Sequence, residues 1–344
     1  CALPIFPTGA QLLSAEGSKI LYSTSDGSLI VRDLQSSTQV TLWSTSSLQY
    51  ATDWQLSGGR VYAQAKDSDC TPTFNCIYEW SATGVRKNLS TLSPYTTGSS
   101  YQENPVARGG YVIWTNWNGA NTGSYTLYDS INQTFTKISQ PAAVNYVGNT
   151  EYDLAVSSGV IDFWFWGQTG GTGTNSSFDV FNWRSDTSSS TRITSSGLRN
   201  IYTQVAQGRS AWQQTPVGGS TDGTFSLVSQ NGIGGVLQTI GTTVTNFKAK
   251  DTVVAWTSNV TGGGKTLKAL TSSGTSTLSN LSTASLLANG SGVVIYSETG
   301  KVYSWTAATN TKNLLIESIP GQVFITADQI IFSLNSSVYR LPLN

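Results

Sequence analysis

Three acidic residues and one tyrosine lie at the same distance from a glycine that marks a turn. Asp53, Glu103, Asp153 and Tyr202 each precede such a glycine by six residues. Clustered carboxylates are ligands for a hard cation such as Ca²⁺, and two carboxylates roughly 5–10 Å apart can hydrolyse a glycosidic bond. Asp53, Glu103 and Asp153 are therefore a candidate cation site, and with Tyr202 a candidate ligand site. The alternative is that these acids are solvated side chains at a wide opening.

Aromatic residues supply the second group of candidates. The chain has 11 Trp, 15 Tyr and 11 Phe, and flat rings stack on sugars and dominate many protein interfaces. Most of them are expected in the core. Trp54 follows Asp53, while Trp117 and Trp166 are expected where a strand meets a loop. We therefore add these three tryptophans to the candidate ligand-binding residues.

Composition excludes several kinds of chemistry. The chain has no His, which rules out Ser–His and Cys–His nucleophiles and His-based zinc sites. The 19 basic and 19 acidic residues are scattered and cancel, so no basic stripe is present for nucleic acid. No apolar run approaches the roughly 18 residues of a membrane span. We expect no cofactor other than a bound Ca²⁺.

The three cysteines indicate an oxidising compartment. Cys70 and Cys76 bracket a seven-residue segment, CTPTFNC, and are predicted to form a disulfide. Cys1 resembles the lipid-modified first residue of mature bacterial lipoproteins; a link to another chain and a simple boundary of the sequence are the alternatives. Seven Asn-X-Ser/Thr sequons also occur. Low charge, the disulfide and the sequons together favour an extracellular or cell-surface protein.

The elements that position these residues repeat along the chain. A short strand-like run carries a large aromatic residue shortly after a Gly or Asp turn, and this happens eight times at intervals of 36–52 residues. The aromatic residues are Tyr22, Tyr62, Trp114, Trp164, Trp212, Trp256, Tyr296 and Phe332. Alternating apolar and polar residues in short runs, separated by Gly, Asn and Ser, are typical of antiparallel meanders. The sequence therefore predicts an all-β protein built from repeated four-stranded units.

The repeat layout resembles that of β-propeller proteins across the whole chain, without a WD40 or kelch signature. The resemblance implies one domain, residues 1–344, with eight four-stranded blades at about 10–44, 49–91, 101–140, 150–195, 200–241, 245–280, 283–317 and 321–343 plus 2–6. The first strand of a propeller blade lines the central channel, so the acidic residues would lie at one channel mouth, with Glu151 close by. The polar run at 185–199 is expected at a solvated outer edge.

The last repeat has only three strands before the sequence ends. We expect Ala2–Phe6 to supply its missing strand and close the ring, because an unclosed ring leaves a strand edge unpaired. If this segment pairs with a neighbouring molecule instead, the same pairing produces a polymer.

These observations favour a non-catalytic extracellular module that binds a glycan or a protein through loop aromatics, or that assembles with copies of itself into a surface polymer. Adhesion and structural roles fall in this class. The alternative is a polysaccharide lyase or glycosidase that uses the channel-mouth carboxylates with help from Tyr, Lys or Arg. Turnover of an oligosaccharide separates the two interpretations.

Overall fold

The structure is a computed structural model. It describes residue 6 and residues 9–43, 50–70, 75–96, 101–117, 123–148, 151–206, 208–219 and 223–343. The chain divides into two compact units. Unit 1 comprises Cys1–Thr150 and Asn335–Leu341, and unit 2 comprises Glu151–Leu334 and Pro342–Asn344.

Unit 1 contains three four-stranded antiparallel sheets, each formed by strands that follow one another in sequence. The first sheet consists of β1 (Gln11–Glu16), β2 (Lys19–Ser23), β3 (Leu29–Asp33) and β4 (Gln39–Trp43). The second consists of β5 (Tyr50–Ser57), β6 (Arg60–Lys66), β7 (Cys76–Trp80) and β8 (Arg86–Asn88), followed by the one-turn helix α1 (Leu89–Leu92). The third consists of β9 (Tyr101–Arg108), β10 (Tyr111–Trp117), β11 (Gly123–Asp129) and β12 (Thr134–Ile138), and β13 (Tyr146–Val147) follows it.

Unit 2 continues the same pattern. The strands from residue 153 to residue 279 are hydrogen-bonded into one larger sheet, and we call its three successive meanders the fourth, fifth and sixth sheets. The fourth sheet consists of β14 (Asp153–Ser157), β15 (Val160–Gly170), β16 (Ser177–Arg184) and β17 (Ser189–Arg192), with a short 3₁₀ turn at Gly173–Asn175. The fifth and sixth sheets consist of β18 (Arg199–Ala206), β19 (Arg209–Thr215), β20 (Phe225–Asn231), β21 (Leu237–Lys250), β22 (Val253–Val260), β23 (Gly264–Thr271) and β24 (Gly274–Ser279). The seventh consists of β25 (Ser285–Gly290), β26 (Val293–Glu298), β27 (Lys301–Thr306) and β28 (Thr311–Ile316), and β29 (Val323–Ile325) and β30 (Gln329–Leu334) follow. The last strand, β31 (Ser337–Pro342), belongs to unit 1 except for Pro342.

One long strand serves two sheets. The first part of β21 pairs with β20 as the last strand of the fifth sheet, and its second part pairs with β22 as the first strand of the sixth. The pairing changes at Val244, which is opposite Phe225 on one side and Ser258 on the other. The fifth and sixth sheets are therefore joined by continuous backbone without a loop.

The repeated aromatic residues form the core, as the sequence predicts. All eight are buried, with at most 4% of their surface exposed. A large ring on the second strand of a sheet removes much apolar surface from water, and this burial stabilises the packing of neighbouring strands. The all-β class and the antiparallel meanders are confirmed.

Left-handed backbone recurs within the first strand of a sheet. Asp53, Asn104 and Tyr202 have φ angles of 55°, 56° and 62°, and the strand register shifts at each of them. Such a shift is a β-bulge, which inserts one residue and redirects its side chain. A left-handed conformation in a residue other than glycine stores strain of order 1 kcal/mol, so packing must hold it in place.

Side chains tie the first strands of successive sheets together. In unit 1, Ser14 Oγ accepts a hydrogen bond from the Leu56 backbone N–H at 3.0 Å. In unit 2, Gln204 Oε1 accepts one from the Ala249 N–H at 2.8 Å. Each of these bonds satisfies a backbone donor on the first strand of the following sheet.

Trp114 is the residue whose loss should most affect the third sheet. Its side chain is fully buried, and its Nε1 donates a hydrogen bond to Gln102 Oε1 at 2.5 Å. Trp114→Ala should lower the free energy of unfolding by about 3–5 kcal/mol, measured by urea denaturation. Trp117→Ala, at the half-buried end of the same strand, is the control. An equal loss in both variants would contradict the assignment of Trp114 to the core.

The described residues do not test several predictions about the architecture. Residues 2–5 of the predicted closing strand are not among the described residues. Phe6 is described, and its ring packs 3.9 Å from that of Tyr22. The closed eight-bladed ring and the single domain remain predictions. In the described part of the chain, no helix is both long enough and apolar enough to cross a membrane.

Candidate functional site

An aromatic and ionic cluster lies in unit 2, and we call its five members the Tyr202 cluster: Glu151, Trp166, Phe178, Arg199 and Tyr202. Trp166 lies within β15 and Phe178 near the start of β16. Arg199 begins β18, which pairs with β16 in parallel through Phe178 and Arg199. This pairing brings the fourth and fifth sheets together at the start of β18.

Ring contacts hold the cluster together. Trp166 packs edge-on against Phe178 at 5.4 Å and against Tyr202 at 6.2 Å between ring centroids. The Arg199 guanidinium carbon lies 5.2 Å from the centre of the Phe178 ring, a favourable cation–π distance. Of the described residues, none forms an ion pair with Arg199. Its charge is held in place by an aromatic ring and remains available to an anion.

Backbone conformation fixes the two titratable residues of the cluster. Glu151 and Tyr202 have φ angles of 55° and 62°, both in the left-handed region. The adjacent Thr203 hydroxyl donates a hydrogen bond to the Trp164 carbonyl at 2.9 Å, and it lies 3.5 Å from the Glu151 carbonyl. Strained positions of this kind cluster at functional sites, because the surrounding structure must determine them.

The electrostatics of the cluster favour proton transfer. Burial raises the pKa of the Tyr202 phenol, the negative charge of Glu151 raises it further, and Arg199 lowers it. Desolvation also raises the pKa of the Glu151 carboxyl, although its side chain keeps exposed surface. At neutral pH Tyr202 is therefore a protonated acid. Glu151 exchanges its proton closer to neutrality than an ordinary glutamate does.

Asp153 supports the cluster and does not enter it. Its side chain is 7% exposed. Oδ1 accepts a hydrogen bond from the Leu154 N–H at 2.9 Å, and Oδ2 accepts one from the Val205 N–H at 3.2 Å. The carboxylate thus fastens β14 to β18, two residues from Glu151 on one strand and three from Tyr202 on the other.

The predicted acidic residues of unit 1 have different surroundings. Asp53 is exposed at its bulge and accepts a hydrogen bond from the Thr52 hydroxyl at 2.8 Å. Glu103 is half-buried opposite Thr115. Among the described residues, no group of three or more His, Cys, Asp or Glu side chains could hold a metal ion. The Ca²⁺ site at Asp53, Glu103 and Asp153 remains a prediction.

The predicted tryptophans differ in how far they are buried. Trp54 packs 5.8 Å from Trp43 and 5.5 Å from Trp80, so it contributes to the apolar core of unit 1. Trp117 ends β10, as expected, and contacts Tyr146 edge-on at 6.2 Å. Trp166 differs from the expectation: β15 continues to Gly170, so Trp166 lies inside the strand and is only 8% exposed.

The expected disulfide is confirmed, because Cys70 and Cys76 are joined and both are buried. Cys1 lies outside the described residues. The sequon residue Asn289 is 5% exposed and donates hydrogen bonds to the carbonyls of Lys248 and Val253. It is therefore closed to a glycan in the folded chain, unlike the exposed Asn132.

Two members of the cluster, Phe178 and Arg199, escaped the sequence analysis. Arg199 ends the polar run that was expected at a solvated edge, but it is half-buried and begins β18. Its contact with Phe178 arises from a parallel pairing between strands of neighbouring sheets. Sequence periodicity within one repeat carries no signal for such a pairing.

Comparison with known proteins gives likenesses of structure alone. No protein-family model matches the sequence, and no curated protein matches it. The chain is similar to the β-propeller domain of the Trilobed protease from Pyrococcus furiosus, with a TM-score of 0.53 and 10% identity over 89% of this chain and 97% of that one. It is also similar to puromycin hydrolase, with a TM-score of 0.52 and 10% identity over 98% of this chain and 59% of that one.

A third similar structure is a puromycin-hydrolyzing peptidase from Mycobacterium tuberculosis, with a TM-score of 0.51 and 12% identity over 83% of this chain and 50% of that one. The chain thus spans about half the length of both puromycin-cleaving proteins. The prediction of a non-catalytic binding or assembly module was wrong by this comparison, because these similar structures are enzymes or a domain of one. At 10–12% identity the likenesses identify the fold, and that fold is the one of β-propeller domains.

Proposed function

We propose that this chain is a polysaccharide lyase that cleaves uronate-containing glycans by β-elimination at the Tyr202 cluster. One observation carries the proposal: Tyr202 and Glu151 lie close enough to interact electrostatically, and partial burial raises the pKa of both the phenol and the carboxyl. An aromatic wall and a cation free of ion pairs with the described residues adjoin them. This set of groups matches what the elimination requires.

β-Elimination needs a base, an acid and a group that neutralises the uronate carboxylate. Glu151 removes the proton on the carbon next to the carboxylate, and the electron pair of that bond forms the new C4–C5 double bond. The C4–O bond breaks, and Tyr202 gives its proton to the departing oxygen. Both groups then exchange protons with water and return to their starting states.

Arg199 binds the substrate carboxylate and stabilises the negative charge that develops on it when the proton leaves. A guanidinium held over a ring is suited to this role, because its planar donors match both carboxylate oxygens. Preorganised charges of this kind are usually the largest contribution to catalysis. Trp166 and Phe178 form an apolar wall beside the Tyr202 phenol.

Hydrolysis by two carboxylates is less well supported. A glycosidase needs a second carboxylate free to act as nucleophile or base. The nearest acid along the chain, Asp153, uses both oxygens to accept backbone hydrogen bonds. Glu151 keeps exposed surface and is therefore accessible to a substrate.

We also propose a fold for the whole chain and a cellular compartment. The likeness to β-propeller domains and the repeated meanders support one domain of eight blades over residues 1–344, closed by Ala2–Phe6. The packing of Phe6 on Tyr22 is consistent with a terminal segment docked on the first sheet. The Cys70–Cys76 disulfide supports export to an oxidising compartment.

The experiment is an assay of the purified chain with polygalacturonate, alginate and a glucuronate-containing glycan. We expect ultraviolet absorbance from an unsaturated uronate to rise with at least one of them. A neutral glucan is the control, and each assay is run with and without Ca²⁺ because of the predicted cation site. Reducing ends without unsaturated product would indicate hydrolysis and contradict the lyase, and no cleavage of any uronate polymer would overturn the enzyme.

A further inference from the structure

A pocket of about 330 Å³ lies in unit 2, in a different part of the fold from the Tyr202 cluster. We call it the Lys268 pocket and define it by six of its lining residues: Gly241, Thr243, Trp256, Ser258, Thr266 and Lys268. None of these residues belongs to the proposed catalytic machinery. A pocket of this volume is at the lower end of the range for small-molecule sites.

The pocket forms where β21 passes from the fifth sheet to the sixth. On β22 and β23, Trp256 is opposite Lys268, and Ser258 is opposite Thr266. Residues two apart on a strand face the same side, so these four side chains share one face of the sixth sheet. The stretch Thr239–Thr243 of β21 borders the same space and still pairs with β20 in part.

Gly241 permits the close approach of β21 to this face. A Cβ atom at Gly241 would lie 2.7 Å from Trp256 Nε1 and 2.9 Å from Val244 Cγ2. No real Cβ tolerates such distances, so any larger residue would push β21 away or fill the space. Trp256 itself is only 1% exposed and forms a rigid floor.

The lining is polar and carries one charge. Ser258 and Thr266 are 9% and 8% exposed, and the Thr243 hydroxyl donates to backbone carbonyls in or next to the pocket. Lys268 is half-buried, and among the described residues it has no carboxylate partner. A concave surface with several hydroxyl groups and one unpaired ammonium recognises a small anion that carries hydroxyl groups of its own.

We propose that the Lys268 pocket binds one uronate sugar, with Lys268 on the sugar carboxylate and the Ser258 and Thr266 hydroxyls on the ring hydroxyls. The pocket volume suits a single sugar ring. This inference deepens the proposed function and rests on it for the source of the sugar, since the substrate polymer would supply it. Free uronate in solution has the same chemistry and is the other source.

The test measures binding by calorimetry and ligand-observed NMR, without reference to cleavage. Galacturonate and glucuronate are titrated against the full chain, with galactose and acetate as controls for charge and for the sugar ring. The protein comes from a host without N-glycosylation, because Asn259 borders the pocket within a sequon. Lys268→Met is compared with Lys265→Met, which removes the same charge from the same strand three residues away.

We expect saturable uronate binding that weakens at least about tenfold in Lys268→Met and is unchanged in Lys265→Met, as loss of a charge-assisted hydrogen bond predicts. Tighter binding of a uronate trimer would identify the polymer as the source, and equal binding the free sugar. Equal affinity for acetate or galactose, equal effects of both lysine changes, or no saturable uronate binding would overturn the proposal. If Tyr202→Phe binds uronate normally while no polymer is cleaved by the wild type, the lyase fails and the pocket stands.

Discussion

Tyr202→Phe is expected to lower kcat on the cleaved polyuronate by about 10²–10⁴-fold, the usual contribution of a positioned acid, while KM changes little. The substitution removes only the phenolic proton donor and keeps the ring that packs on Trp166. Tyr303→Phe makes the same change elsewhere in unit 2, where the ring stacks on Tyr296, and should leave kcat unaltered. Steady-state kinetics with both variants decide the matter, and a fully active Tyr202→Phe enzyme would contradict the mechanism.

The pH dependence of kcat/KM is a further test, because it would not change if Glu151 had a purely structural role. Glu151 acts as a base and must be ionised, so kcat/KM should fall as pH drops through its pKa, which desolvation places above the ordinary glutamate value. Tyr202 must keep its proton, and its raised pKa moves the loss of activity to strongly alkaline pH. In Glu151→Gln the residual activity should lack the acidic limb. If Glu151→Gln keeps the acidic limb, another group is responsible for it.

Arg60→Ala is expected to lower the free energy of unfolding by about 3–5 kcal/mol, the cost of leaving one member of a buried ion pair behind. The Glu79 side chain is fully buried, that of Arg60 is 30% exposed, and Arg60 Nη1 donates to Glu79 Oε1 at 2.8 Å. Among the described residues, Glu79 Oε2 accepts no hydrogen bond. Removal of the guanidinium therefore leaves the buried Glu79 carboxylate without its ion-pair partner, and Lys87 is then the remaining cation that acts on it.

The double variant Arg60→Ala/Glu79→Gln provides the control. A neutral amide needs no counter-charge, so the second change should restore much of the stability lost in the first, as measured by urea denaturation at pH 7. Additive losses would show that Arg60 contributes by packing its side-chain carbons alone.

The same pair makes stability depend on pH. Desolvation raises the pKa of Glu79 above its value in the unfolded chain, and Arg60 lowers it only in part. The folded state therefore binds this proton more tightly, and the resulting stability is present below the ordinary glutamate pKa and lost as pH rises through the folded value. Wild type should lose stability relative to Glu79→Gln over that interval, and parallel curves would contradict this.

The sequence was most informative where a single repeat determines its own structure. The eight aromatic residues are buried because each faces the inside of its own sheet, and alternation along one strand determines that direction. The spacing gave no information on left-handed backbone: such residues lie at the counted positions Asp53 and Tyr202, but also at Asn104, next to Glu103, and at Glu151, two residues before Asp153. An inserted residue shifts the count, and bulges have no clear composition signal.

Contacts between sheets could not be predicted from the sequence for a similar reason. Trp54 packs on Trp43 of the preceding sheet, and Arg199 packs on Phe178 of the preceding sheet. The sequence of one sheet does not specify its register with the next. The candidate residue Tyr202 was found by spacing, and Glu151 was noted only as a residue close to the counted acidic residues. Their aromatic and cationic surroundings appear only in three dimensions.

The uninterrupted backbone of β21 has a consequence for how unit 2 opens. A strand that is hydrogen-bonded to β20 along one part and to β22 along the next cannot leave one sheet without straining the other. Proteins open locally in contiguous units whose residues unfold together. Residues 199–279 should therefore melt and exchange amide hydrogens as one foldon, while sheets joined by loops open separately.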